Sequence, residues 1–174
     1  ANAGAILQTR GRLALQSTTV QSNVAASDAG AIAVTAGAVT VTQSIVISNV
    51  SATGAAIVAS AIQPSALASA GQAFVPSTAG ALAAVGPLVV VNSVIAGNST
   101  TSGGTLSVQY GGLRMLNTTV AANRASSGSA LALLSGATAF ITNTILAGDG
   151  AKTACSKSSD STLVVSATLA TDGT

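Results

Sequence analysis

Histidine, glutamate and tryptophan are absent from this chain of 174 residues, and its only acids are Asp28, Asp149, Asp160 and Asp172. Without His there is no Ser–His–Asp relay, and one cysteine, Cys155, cannot supply a zinc ligand set. Enzymes that cleave polysaccharides use paired carboxylates or carboxylate-held metals. No two of the four Asp share a strand face at a spacing that would bring them together, so each reads as a solvated or capping turn residue. No catalytic residue, metal or cofactor is expected. The cations Arg10, Arg12, Arg114, Arg124, Lys152 and Lys157 are scattered, so the net charge of +2 is a small excess rather than a nucleic-acid-binding patch. With only Phe74, Phe140 and Tyr110 as aromatics, a globular core filled by large rings is ruled out. Gly, Ser, Thr and Asn interrupt every apolar run, which excludes a transmembrane helix. Cys155 cannot form an internal disulfide; it is a small buried hydrophobe or one half of an intermolecular bridge. A start at Ala1 rather than Met, with no leader-like segment, reads as a processed chain or one cut from something longer.

What the chain does have is a repeat of about 24 to 26 residues. The copies are GAILQTRGRLALQSTTVQSN from Gly4, GAIAVTAGAVTVTQSIVISN from Gly30, GALAAVGPLVVVNSVIAGN from Gly80, GTLSVQYGGLRMLNTTVAAN from Gly104 and GSALALLSGATAFITNTILAGD from Gly128. Each opens on Gly, breaks at a second Gly, and resumes with apolar alternation. Each closes on Asn, Gln or Ser, then Ser or Thr, any residue, Val, Ile or Leu, any residue, a small residue, and Asn or Asp. A fixed period of this length specifies a solenoid.

Aligned on the closing residue, the copies form columns. One holds Leu13, Val39, Leu88, Leu113 and Ala139; the next, two residues along, holds Leu15, Val41, Val90, Met115 and Ile141; a third holds Val20, Val46, Ile95, Val120 and Leu146. Spacing of two means strands with alternate side chains inside. The copies are too short for a crossover helix, so equivalent strands must lie side by side in parallel. The prediction is an all-β, right-handed parallel β-helix of about six to seven coils, forming one domain over 1–174. Gly11, Gly37, Gly86 and Gly111 mark a sharp bend, with Gly136 displaced by one place. Asn23, Asn49, Asn98, Asn123 and Asp149 are expected to form an inward ladder that fixes coil register. Residues 54–79, with Pro64 and Pro76, read as a degenerate coil with a lateral loop. The stretch 150–174 reads as a polar segment and a last partial coil.

The Gly4-Ala5-Ile6 and Gly30-Ala31-Ile32 openings and the VQSN, VISN and VAAN closings resemble the GGAI and FxxN repeats of the chlamydial polymorphic outer-membrane proteins. Related β-helix repeats occur in bacterial and algal surface proteins. This chain differs in using Val, Ile or Leu where that family has Phe, and a single opening Gly. The resemblance implies a surface-exposed structural or adhesive protein, extracellular or at the cell surface.

Three further features bear on role. The outward columns Ala14, Thr40, Val89, Arg114, Phe140 and Gln16, Thr42, Val91, Leu116, Thr142 place Val89, Val91, Leu116 and Phe140 in an exposed apolar contact patch. Those columns carry Thr40-Val41-Thr42, the Thr-x-Thr form of ice-binding solenoids, but Arg114 and Phe140 interrupt the hydroxyl array. An ice- or carbohydrate-binding module is therefore the alternative, with a polysaccharide-degrading enzyme behind it. Glycan acceptor triplets begin at Asn49, Asn98 and Asn117, and Asn117, in a polar turn column, is the favoured one. Both ends read as open coils, which fits either a fragment of a longer solenoid, part of a surface stalk, or a subunit whose parallel edges, with little charge to repel a copy, stack head to tail into a filament.

Overall fold

The computed structural model describes residues 4–26, 29–34, 37–51, 57–60, 87–101, 104–125, 129–147 and 153–171. Among them every regular element is a strand, and all strand pairs are parallel. The chain winds as a β-solenoid with four faces. Face one is built from Ile6–Gln8, Ile32–Val34, Ile57–Ser60, Leu106–Gln109, Ser129–Leu134 and Thr153–Lys157. Face two stacks Arg12–Gln16, Ala38–Thr42, Pro87–Val91, Gly112–Leu116, Thr138–Thr142 and Thr162–Ser166. Face three stacks Thr19–Gln21, Ile45–Ile47, Val94–Ala96, Thr119–Ala121, Ile145–Ala147 and Leu169–Thr171. Face four is short: Val24–Ala25, Val50–Ser51, Ser99–Thr100 and Arg124–Ala125. Four coils thus carry all four strands and two more carry three, among the described residues.

The register is the one the columns predict. Leu13 pairs with Val39, Val39 with Leu88, Leu88 with Leu113 and Leu113 with Ala139. Val41, Val90 and Met115 lie on consecutive rungs and are buried. Val46, Ile95, Val120 and Leu146 form the buried column of face three. Because equivalent residues stack directly, side chains of Val and Leu size fill the interior without aromatic rings. Each contributes roughly 1.5–3 kcal/mol on burial.

Face one departs from simple alternation. Its inward positions Ile32, Leu106 and Leu131 are buried, but so are the outward positions Ala33, Ser107 and Ala132. A parallel sheet covered on both sides reads as a near-continuous apolar run, as SALALL does.

At the corner between faces one and two the backbone turns through the left-handed region. Gly37 has φ of 124°, and a Cβ there would stand 2.0 Å from the Gly11 carbonyl oxygen, so only glycine fits. The displaced Gly136 has a structural cause. Gln109 pairs with Leu134 on face one but Gly112 with Thr138 on face two, so coil five carries one extra residue at this corner.

Ile57–Ser60, from the expected degenerate coil over 54–79, pairs with Ile32–Val34 on one side and Leu106–Gln109 on the other. It therefore supplies face one of coil three, and the strands from Pro87 onward complete that same coil. The opening strand of this coil comes from the Gly54 segment rather than from the Gly80 repeat. The rest of the expected lateral loop lies outside the described residues.

Val90, between Val41 and Met115 with no solvent exposure, is the sharpest test of the stack. Val90→Asp is expected to abolish the cooperative thermal transition, since an unpaired buried carboxylate costs several kcal/mol. Val90→Ala should keep the transition but lower stability by about 2 kcal/mol; circular dichroism melts separate the two.

Candidate functional site

The closing signature of the repeat forms two corners. At the corner between faces two and three, Ser17, Gln43, Asn92, Asn117, Asn143 and Ala167 all have φ between 46° and 51°. Asn tolerates this left-handed conformation better than most non-glycine residues. The next residue is always Ser or Thr, and its hydroxyl donates to the carbonyl two positions earlier: Ser44 to Thr42 at 2.8 Å, Ser93 to Val91 at 2.8 Å, Thr118 to Leu116 at 3.0 Å and Thr144 to Thr142 at 2.9 Å. Ser44 and Ser93 also accept from the backbone N–H of Thr18 and Ser44. These buried hydroxyls satisfy backbone groups that the bend removes from the ladder.

At the corner between faces three and four, Ser22, Ser48, Gly97 and Ala122 are left-handed, and the Asn that follows turns inward. The Oδ1 of Asn49 accepts from both the backbone N–H (3.1 Å) and the Nδ2 (2.9 Å) of Asn23. Asn98 accepts likewise from Asn49, and Asn123 from Asn98, at 3.0 Å throughout. The amides reach back as well: Asn49 to the Val20 carbonyl, Asn98 to that of Val46 and Asn123 to that of Ile95. Asn49 and Asn98 thus each tie three consecutive rungs together. Asp149, expected to continue the ladder, lies outside the described residues.

A second, exposed asparagine row runs along the corner between faces two and three. Asn117 Nδ2 donates to Asn92 Oδ1 at 3.0 Å, and Asn143 Nδ2 donates to Asn117 Oδ1 at 2.7 Å. The sequence reading placed this column in solvent but did not anticipate the hydrogen-bonded row; the recurrence of Asn at one turn position was the available signal. Beside it lies an open hollow of ≈ 480 Å³ touched by Asn117, Asn143, Ile145 and Leu169.

Of the three glycan acceptor candidates, Asn49 and Asn98 are wholly buried in the ladder. Their Nδ2 atoms, where a sugar would attach, are hydrogen-bonded inside. Asn117 is the one whose side chain is exposed. Of the apolar patch foreseen on face two, Val89, Val91 and Leu116 are half-buried while Phe140 is 53% exposed, with Arg114 between Val89 and Phe140 in register. The larger apolar exposure is on face three, which sequence reasoning missed: Ile45 (42%), Val94 (37%), Ile145 (43%) and Leu169 (58%) stand in one outward column. The signal was present in the free position after Ser or Thr of the closing signature, which is repeatedly apolar.

Cys155 takes the last place in the inward column of Ile6, Ile32, Leu106 and Leu131, half-buried and packed against the core. Asp160 is exposed at the corner of coil six, where the Ser158 hydroxyl holds its carboxyl below the ordinary carboxylate range. Asp28, Asp149 and Asp172 lie outside the described residues. Among the described residues there is no cluster of three or more His, Cys, Asp or Glu side chains, and no helix long and apolar enough to cross a membrane. No protein-family model, curated protein or solved structure matches this chain.

Asn98→Ala removes the central amide and leaves the Asn49 N–H and Nδ2 without their acceptor, so a loss of about 2–3 kcal/mol is expected. Asn98→Asp keeps an acceptor for Asn49 but sets a carboxylate against the Asn123 Oδ1. Burial raises its pKa above the unfolded value of about 3.9. Its penalty should therefore grow as pH rises through the folded pKa and shrink at pH 4; urea titrations at pH 4 and 7 check this. In a glycosylating host, glycan is expected on Asn117 rather than on Asn49 or Asn98, as peptide mass mapping after deglycosylation would report.

Proposed function

We propose that this protein is a non-enzymatic structural or adhesive β-solenoid of the extracellular space or cell surface. In this reading it stacks end to end on copies of itself. The observation that carries the reading is the state of the two outermost rungs. The strands of coil six pair with coil five on one side and with no described strand on the other. Their inward positions remain uncovered: Val165 is 54% exposed although its column partner Ile141 is buried, and Ala170 is exposed although Leu146 is buried. Coil one presents the same columns from the opposite direction through Ile6, Leu13, Leu15 and Val20.

A parallel edge of unpaired backbone groups is a template for another strand. Placing coil one of a copy on coil six continues the columns of faces one, two and three, with the larger Ile6 on Cys155 and Val20 on Ala170. Such a contact is heterologous and repeats without closing, so its product is a filament. The scarcity of charge removes the usual repulsion between copies. The GAI openings and the VQSN, VISN and VAAN closings, similar to those of the chlamydial polymorphic outer-membrane proteins, support the surface assignment. Covalent glycan at the exposed Asn117 is compatible with such a location.

End-to-end stacking would bring residue 6 of one copy beside Cys155 of the next, about 4.8 Å apart as neighbouring parallel strands. That lies within the Cα separation a disulfide spans. Under mild oxidation Ile6→Cys should give a ladder of covalent multimers on non-reducing gels. A single dimer band, equal to that of the unmodified chain, or no band at all, would reject the stacking.

A further inference from the structure

We propose that the corner between faces two and three, at coils four to six, is a seat for a neutral pyranose sugar. The hollow beside the exposed asparagine row, ≈ 480 Å³ in volume, falls within the ~300–1,000 Å³ of small-molecule sites. Ala167 opens it: this residue follows Asn117 and Asn143 in the turn column and has no amide to continue the row. The turn lines the hollow with the Asn117 and Asn143 amides. Face three lines it with Thr119 and the exposed aliphatic side chains of Ile145 and Leu169. None of the lining residues carries a charge. Neutral donors and acceptors beside aliphatic groups match a pyranose, which has hydroxyls at its edge and C–H groups on its face. They give an ionic ligand no counter-charge.

The asparagine row holds its amides ready for such a ligand. Asn117 donates through Nδ2 to Asn92 on one neighbouring rung and accepts through Oδ1 from Asn143 on the other. Bonds in opposite directions use the N–H that lies anti to the C=O, and leave the syn N–H of the planar amide unspent. In the favoured trans form of a secondary amide, a new substituent on nitrogen takes that syn position. A sugar carried on the Nδ2 of Asn117 thus leaves both row bonds in place. Asn117-Thr118-Thr119 is a glycan acceptor triplet, and its Asn and its last Thr both line the hollow. The same unspent N–H, with the Asn143 Oδ1 at the open end of the row, equally serves the hydroxyls of a separate oligosaccharide. One chemistry therefore has two sources, the glycan of Asn117 itself or a free neutral glycan.

The test uses the same chain made in a bacterial and in a glycosylating host, with circular dichroism confirming that each variant folds. Asn143→Gly removes an amide but keeps the left-handed turn, and Leu169→Ala removes an aliphatic wall. Gln43→Gly makes the same turn change outside the hollow. For a free glycan, calorimetry of the bacterial protein with linear hexasaccharides of glucose, xylose, mannose and N-acetylglucosamine should give at least one dissociation constant below about 1 mM. Asn143→Gly or Leu169→Ala should weaken it by about tenfold or more, whereas Gln43→Gly should not, and hexagalacturonate should not bind. For the Asn117 glycan, the glycosylated chain should melt at least about 2 °C above the bacterial one, and Leu169→Ala should remove the difference. Either result supports the seat and identifies the source of the sugar. Neither result, equal binding of hexagalacturonate, or equal effects of Gln43→Gly and Asn143→Gly would overturn the proposal. The seat rests on the proposed extracellular or surface location only for its supply of sugar. Failure of the Ile6→Cys ladder would reject end-to-end stacking and leave these outcomes unaffected.

Discussion

Every other feature of this molecule depends on vertical register, the placing of each residue directly over its equivalent one coil away. In a parallel stack the backbone of one rung is satisfied by the rungs on either side, so the straight segments need no side-chain help. The corners do, because there the backbone turns out of the ladder. This chain meets them with three devices: left-handed residues that make the bend, Ser or Thr hydroxyls that bond the carbonyl two positions earlier, and inward asparagines that bridge three rungs. A slip of one residue would put buried amides outside and apolar columns in solvent, so the polar corners specify the register that the apolar columns fill.

The composition follows from the same constraint. A column accepts only what fits between its upper and lower neighbours, which favours Val, Ile, Leu and Ala over aromatic rings. Met115 is the exception, a flexible side chain between Val90 and Ile141 in the interior of face two. An extra residue is tolerated at a corner. Coil five accommodates one additional residue there, and coil three is interrupted between Ser60 and Pro87 with its rungs still paired on both sides.

Outward positions carry none of these demands, and specificity is free to reside there. Face two mixes Arg114 with Phe140 and Thr40, whereas the outward positions of face three carry no charge among the described residues. The exposed asparagine row lies at the corner between them. A role built on contact, along the side or at the ends, uses the rigidity of the stack and the repetition of its surface, and asks nothing of individual reactive groups.

The inward columns were legible in the sequence because a strand's alternation and a fixed repeat length together leave only one alignment of Leu13 with Val39 or Val41 with Val90. The ladder of Asn23, Asn49, Asn98 and Asn123 was legible for the same reason. What required tertiary structure was everything that depends on a third dimension around those columns. The completion of coil three by Ile57–Ser60 comes from strand pairing across a long sequence gap, invisible to a local pattern. The burial of Ala33, Ser107 and Ala132 on the outward side of face one cannot be read from alternation, which distinguishes the sides of a strand but not what covers them. The dominance of face three over face two in exposed apolar surface is likewise a tertiary result. Val89, Val91 and Leu116 are half-covered, while Ile45, Val94 and Ile145 are exposed, a difference that alternation alone does not carry.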